Sequence, residues 1–465
     1  MTKNKRGLIG TGGLIALLLV VTGLTGAGVS SAQAATSAKP KHNKTGHYSP
    51  PNGAIFNYPF SGKKNRYRIR THVLKTIKSV PPGGQIRIAA YSVNDNTTVD
   101  ALIAAKRRGV SVQVVVNSHN VHGTEYHGSS PSFIRLMHTL GQRIHRKGVA
   151  DDRVSFAKYC RKSCRGKGGN VHYKMFLFSS AGSKNLVTMV GSPNLTTLAA
   201  QGQWNHLITY SGNPTTWAYY NTMFNEMKID KPQPHPYRVY GPTQGVTPET
   251  WFFPRPGTQA GDDPLAVAMK KIQCTGVSSP YGSGGRTVIR IGQYAWYGAR
   301  GNWLAKDVRA LWNQGCNIKL ETAVLGPTAR AILRNHSGRG AIPTRETGSW
   351  SKTTGRPLTY NHSKYMTVSG IYDGQPQTIT WVGTTNWSTL GFYSDDMTQV
   401  WSSIDPIAND PYPYPGSMYA DFVKNFNKIW RGPQTHLPQS HHTITVTGRV
   451  SELFHGDDGV LLGED

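Results

Sequence analysis

Val171-His172-Tyr173-Lys174-Met175-Phe176-Leu177-Phe178-Ser179 is echoed further along the chain by Asn361-His362-Ser363-Lys364-Tyr365-Met366-Thr367-Val368-Ser369. The two histidines are 190 positions apart (362 − 172). Each copy is a His-x-Lys running into a strand-like stretch. Each is followed by a Gly-x-x-Asn: Gly191-Ser192-Pro193-Asn194, then Gly383-Thr384-Thr385-Asn386. Residues two apart on a strand share a face, so His172 pairs with Lys174 and His362 with Lys364. A lone His-x-Lys is a weak signal in a chain of 465 residues with 17 histidines. Two look-alikes are in fact present, His42-Asn43-Lys44 and His145-Arg146-Lys147. Neither leads into an apolar strand followed by Gly-x-x-Asn.

The segments around the two stretches also repeat. Ile86-Arg87-Ile88-Ala89-Ala90-Tyr91 reads as a strand, Val99 to Arg108 as an amphipathic helix closed by Gly109, and Val112 to Val116 as a buried strand. That is a β-α-β unit with a parallel pair and a right-handed crossover. In the second half the strand Ile289-Arg290-Ile291-Gly292-Gln293-Tyr294, the helix Ala305 to Trp312 and the strand Asn317 to Val324 follow the same order. Ile-Arg-Ile and the tyrosine three positions later match at an offset of 203 (289 − 86). Internal duplication explains this pattern. The expected fold is α/β, two α-β-α sandwich halves related by a pseudo-twofold. The first half carries what reads as a long insertion, 117–170, whose basic part, Arg153 to Lys167, ends next to His172 and is a candidate for shaping a site.

Composition narrows the partners. Lys3, Lys5 and Arg6, an apolar run over Leu14 to Val21, and small residues ending Ala32-Gln33-Ala34 form a secretory signal with a cut after Ala34. An uncleaved anchor is the alternative, but the apolar run is short and broken by glycines. The expectation is a secreted protein. Net charge is +28, and +25 without residues 1–34, which hold three basic and no acidic residues. This favours phosphate-bearing or polyanionic partners. Four cysteines in an exported chain point to disulfides. Of three pairings, Cys160–Cys164 with Cys274–Cys316 keeps each bridge within one half. Zinc is disfavoured because no Cys-x-x-Cys occurs.

Brought together, the two copies supply two His, two Lys and two Asn, which suits a phosphodiester. A neutral imidazole attacks phosphorus. A protonated one gives its proton to the leaving oxygen and later activates water. Lys174 and Lys364, with Asn194, Asn386 and the hydroxyls of Ser192 and Thr384, would hold the phosphate oxygens. No metal or other cofactor is called for, and no carboxylate cluster in the sequence suggests one.

At these motifs the chain resembles the phospholipase D superfamily, over roughly residues 56–430. The resemblance implies phospholipase D-like halves, a site at their interface, a phosphohistidine intermediate, His172 as nucleophile and His362 as general acid. It also implies an acidic residue after each Asn that orients a histidine. Asp396, in Ser394-Asp395-Asp396, is expected to back the second copy, while Asn205 stands in that place in the first. The family's Asp five residues after each Lys is Ser179 and Ser369 here. The domain reading is then signal 1–34, flexible leader 35–55, halves 56–245 and 246–431, and a poorly ordered tail 432–465. The expected activity is a secreted phospholipase D-type hydrolase of phospholipid head groups, with peripheral membrane contact. The chain would be a monomer with an internal pseudo-dimer. A metal-independent nuclease using the basic surface is the first alternative. A catalytically degenerate anion-binding protein, motivated by Asn205, Ser179 and Ser369, is the second. Tyr173, Trp204, Tyr365 and Trp387 read chiefly as core aromatics.

Overall fold

The computed structural model describes residues 45–123, 128–241, 248–255, 257, 259–350, 357–404, 417–433, 435–436, 445–446 and 449–450. The signal segment, its cut and most of the tail lie outside the described residues. Among those described, no helix is long and apolar enough to cross a membrane. The described residues fall in one compact unit. Hydrogen bonding starts earlier than the composition of the leader suggests: Gly46 N donates to Lys78 O, and Gly53–Phe56 is already a strand.

The first sheet has seven strands, in the order Gly53–Phe56, His206–Tyr210, Lys184–Gly191, Lys174–Ala181, Gln85–Ala90, Ser111–Asn117 and Phe156–Cys160. The last three run parallel to one another, and the other pairings are antiparallel. The same order and directions recur in the second half. There the strands are Glu249–Phe252, Met397–Ser402, Gln375–Gly383, Lys364–Tyr372, Val288–Gln293, Asn317–Thr322 and Thr344–Trp350. These belong to a twelve-stranded sheet, which is extended at one edge by Pro357–Asn361 and then by Gln203–Trp204 of the first half. The chain is thus a mixed α/β protein with its sheet plan used twice.

The supposed insertion is largely part of that plan. Helix Pro131–Leu140 leads to Phe156–Cys160, which lies parallel to Ser111–Asn117. Helix Pro327–Leu333 and strand Thr344–Trp350 do the same in the second half. Sequence reading missed this second crossover because the first-half strand holds charged and half-exposed residues, as an edge strand does. The first disulfide, Cys160–Cys164, closes the loop after that strand, and Cys274–Cys316 lies within the second half, as expected. The described cysteine cluster with Asp230 therefore has no thiolate to offer a metal.

Strand alternation divides the core into layers. On Lys174–Ala181, Phe176 and Phe178 join a cluster with Val73, Ile77, Leu102 and Leu136 of the outer helices. Met175 and Leu177 point the other way, into a central cluster. That cluster holds Met223 and Phe224 of helix Pro214–Ile229, Phe422 and Phe426 of helix Met418–Trp430, and Tyr365, Val382 and Trp401 of the second sheet. The halves therefore share one core, which fixes how their strand ends face each other. Tyr173, Trp204, Tyr365 and Trp387 are all buried, as their reading as core aromatics requires.

Glu321 breaks the pattern. It is fully buried, and neither carboxyl oxygen has a hydrogen-bond partner among the described residues. Burial pushes its pKa well above the usual range, with Arg345 opposing. The matching place in the first half, set by the pairing of both strands, is Val115 in the central cluster. A raised folded pKa gives stability that is complete below the unfolded carboxyl's pKa of about 4.3 and is lost as pH rises towards the folded value. Glu321→Val should raise stability by about 1–3 kcal/mol near pH 8 and less near pH 4. Urea unfolding at both pH values checks this, and a variant equally or less stable at pH 8 contradicts it.

Candidate active site

The site is built where the two sheets meet, by exchange between halves. His172 is buried, and its backbone N donates to Asp395 O at 3.0 Å. Its Nδ1 lies 2.8 Å from Asp396 Oδ1. His362 is equally buried, and its backbone N donates to Trp204 O at 3.0 Å. Its Nδ1 lies 3.0 Å from Asn205 Oδ1. The orienting residues are thus swapped relative to the sequence expectation. Asp396 backs the first-half histidine, and Asn205 backs the second-half one. Sequence order could not reveal this, because the exchange depends on how the halves pack.

These contacts settle the tautomers. A carboxylate only accepts, so His172 Nδ1–H is the donor, which in the neutral ring leaves the lone pair on Nε2. Asn205 Nδ2 donates to Ala199 O and Gln203 Oε1, which leaves Oδ1 to accept from His362 Nδ1–H. The two rings therefore differ in support. His172 has a negative partner, and His362 a neutral one.

Ser192 and Thr384 were expected on the phosphate. The structure places both beneath the orienters instead. Ser192 Oγ donates to Asn205 Oδ1 at 2.7 Å and accepts from His206 N. Thr384 Oγ1 donates to Asp396 Oδ1 at 2.6 Å and accepts from Met397 N. Each hydroxyl has a single proton, and it is committed, so neither can also donate to a substrate oxygen. The glycines ahead of them have a steric role. A Cβ on Gly191 would stand 2.1 Å from His206 O, and one on Gly383 2.1 Å from Met397 O. No other residue fits that approach.

Lys174 Nζ donates to His172 O at 3.1 Å, and Lys364 Nζ to His362 O at 2.9 Å. The first ammonium lies over the ring of Tyr91 and the second over Tyr294. These are the tyrosines matched between the repeats, and they also pack against His172 and His362, respectively. Sequence reading used them only as evidence of duplication. Their recurrence one strand away from each His-x-Lys was the available signal. Asn386 lines a cleft with His172, Asp396, Asn170, Tyr297 and Ser388. Asn194 is buried at the equivalent place in the first half. Tyr297 and Ser388 gave no motif and were missed.

Ser179 and Ser369 take up structural work at the family's Asp positions. Ser179 Oγ accepts from Gln85 N, the first residue of a central strand, and Ser369 Oγ from Gly282 N, on the turn ahead of Val288–Gln293. The loop closed by Cys160–Cys164 secures the segment carrying Asp396. Cys164 N donates to Asp395 Oδ2 at 2.6 Å, and Asp395 N donates to Asn170 O. Burial pushes the Asp395 carboxyl up to about 7 against the pull of Arg165 and the amides. Arg165 is itself buried and ion-paired with Glu226 at 2.7 Å, so this basic stretch is more than a solvated loop. The look-alike His145 is exposed and bonds Asp151, away from this arrangement.

Residues 74–228 match a family model described as cardiolipin synthase, phospholipase D-like domain. Among curated proteins no match is found. Several solved structures are similar. The phosphatidylserine synthase of Haemophilus influenzae Rd KW20 is 10% identical over 83% of this chain and 87% of its own, with a TM-score of 0.49. The polyphosphate kinase of Porphyromonas gingivalis is 11% identical over 85% of this chain, which spans about half (53%) of that protein, with a TM-score of 0.47. Nuc from Salmonella typhimurium, a phospholipase D family member, is 19% identical over 39% of this chain and 96% of its own, with a TM-score of 0.28. At these similarities the structures add no argument about activity. The matched domain holds His172, Lys174, Asn194 and Asn205, and the second half repeats the same constellation around His362. Residues 74–228 are thus similar to a phospholipase D-like domain, and the second half repeats its sheet plan.

Proposed function

We propose that the protein is a phosphodiesterase of the phospholipase D type that hydrolyses phospholipid head groups through a phosphohistidine. The observation that carries the reading is the pair of buried histidines, each held at Nδ1 by a residue of the opposite half. His172 Nε2 attacks phosphorus, and an N–P bond forms as the bond to the leaving oxygen breaks. His362, protonated at Nε2, gives that oxygen its proton. Water then enters, His362 takes its proton, and the hydroxide displaces His172. Lys174, Lys364, Asn194 and Asn386 balance the charge on the non-bridging oxygens. Asp396 stabilises the proton on His172 Nδ1 as the ring gains positive character.

Phospholipid is preferred over nucleic acid as substrate because of the apolar surface beside the site, described below. The nuclease reading draws on the +28 charge. The test is hydrolysis with chelator present. The full chain is incubated with phosphatidylcholine vesicles and, separately, with plasmid. Release of choline supports the proposal, and nicking of plasmid without choline release favours the nuclease. Absence of both, with no trappable phosphohistidine, leaves the anion-binding alternative. Export, with the cut after Ala34, belongs to the same proposal, and N-terminal sequencing of protein recovered from culture medium tests it.

A further inference from the structure

We propose that the protein docks on anionic phospholipid surfaces through a patch at the rim of the site, with Phe60 and Leu358 entering the apolar layer and a collar of lysines and arginines binding head groups. This inference rests on the reading of the site as a phosphodiesterase and names the surface that would present a lipid substrate to it.

Phe60 and Leu358 are two of the few large apolar side chains that the fold leaves exposed, at 47% and 53%. Both border the short strand Gln203–Trp204. The Phe60 ring lies 5.3 Å from that of Trp204. Leu358 is on the strand Pro357–Asn361 that pairs with Gln203–Trp204 and runs directly into His362. Trp204 O accepts the His362 amide, and Asn205 next to it orients the ring. Leu358 is therefore four residues from His362 along its strand, and Phe60 packs on Trp204, whose carbonyl holds the His362 amide.

The loop that carries Phe60 is held in place. Asn57 Nδ2 donates to Ala199 O, Asn57 Oδ1 accepts from Asn205 N, and Ser61 N donates to Tyr58 O. A phenyl ring kept exposed on a tethered loop is suited to insertion, because little ordering is left to be done on binding. Immediately after it, Lys63, Lys64 and Arg68 are exposed. Lys428 lies over the ring of Tyr58, and burial and then the nearby Arg68 and Lys424 depress its pKa. The Asp421 carboxylate faces Lys424 and Arg68 in this group. With Arg66, whose Nε donates to Pro59 O, six described cations lie around the loop beside Asp421. Cations flanking an apolar tip match a bilayer with anionic head groups. Nucleic acid fits less well. Phe60 could stack on a base, but the aliphatic Leu358 offers a base nothing and buries well among acyl chains.

The test uses the full chain and three variants, Phe60→Ala, Leu358→Asp and the double variant Lys63→Glu/Lys64→Glu. All carry the same N-terminal segment, so its contribution cancels. Sedimentation is measured with vesicles of phosphatidylcholine alone and of phosphatidylcholine with phosphatidylglycerol. Hydrolysis of bis(p-nitrophenyl) phosphate, a soluble diester, is followed in parallel. Phe60→Ala and Leu358→Asp should each weaken vesicle binding about tenfold. The double lysine variant should lose the preference for phosphatidylglycerol, with binding to those vesicles down about tenfold. Soluble diester turnover should be unchanged in all three. Vesicle binding equal to wild type in all variants overturns the proposal. So does loss of plasmid binding in the lysine variant with vesicle binding intact, which would assign the surface to nucleic acid. Failure of the site reading looks different: vesicle binding follows the pattern above while His172→Asn leaves soluble diester hydrolysis intact.

Discussion

His172→Asn is expected to lower turnover of any phosphodiester by about 10⁴-fold or more, with the fold intact and no phosphoprotein trapped. The size follows from the assigned role. Asn offers no ring nitrogen to form the N–P bond, and nothing else at that point is a nucleophile held by a carboxylate. Asn is close in size to the proximal part of imidazole, and its amide can still meet Asp396, so unfolding should not account for the loss. His362→Asn should behave differently with a p-nitrophenyl ester. That leaving group needs little acid assistance, so the first step proceeds while hydrolysis of the phosphohistidine stalls. A burst of about one p-nitrophenol per protein, with a labelled acid-labile phosphoprotein, is the expected signature. A burst in His172→Asn and none in His362→Asn would reverse the two roles. Appreciable steady turnover in His172→Asn would remove the mechanism.

The second large effect concerns the residues that hold the rings. Asp396→Asn should cost about 10²–10⁴-fold in kcat, with KM changed much less, by the same logic that makes a buried carboxylate matter behind any catalytic imidazole. The carboxylate is fully buried, and its Oδ1 takes both the His172 Nδ1–H and the Thr384 hydroxyl. An amide there gives up the negative charge that stabilises the ring as it becomes cationic. Asn205→Asp should do the converse on the other side. A new negative charge 3.0 Å from His362 Nδ1 favours its protonated form, so the alkaline limb of the pH–rate profile should move to higher pH by about one unit. If the limb moves down or stays fixed in Asn205→Asp, His362 is not the general acid. The two variants together separate a positioning role from simple packing, because packing damage would not shift a pH limb upward.

Much of the fold was legible because its signals are local. The Ile-Arg-Ile strands, the helices that follow and the two His-x-Lys strands carry their own periodicity, and their repetition exposed the duplication. The edge strands were harder. Phe156–Cys160 reads as part of a basic loop, because Lys158 and Tyr159 are only half-buried and its pairing partner is remote in sequence. Ser192 and Thr384 were placed on the phosphate because a hydroxyl beside a candidate Asn looks available. Only the contact with Asn205 and Asp396 shows where each proton goes. Tyr297 and Ser388 belong to no motif, and the cleft they share with His172 arises from a pairing of short segments.

The sequence by itself determined the chemistry on offer: two His-x-Lys units, their asparagines, the glycines that permit close approach, and one carboxylate against one amide among the orienters. It also determined that these come in two copies on two similar sheets. The tertiary structure decided which copy serves which. The Asp396 carboxylate crosses to His172 and the Asn205 amide to His362, because the sheets share one core and their strand ends interlock. A hydrogen bond is short and directional, so its partner depends on the final packing. Strand periodicity is set residue by residue along the chain, and so it could be read before the packing was known.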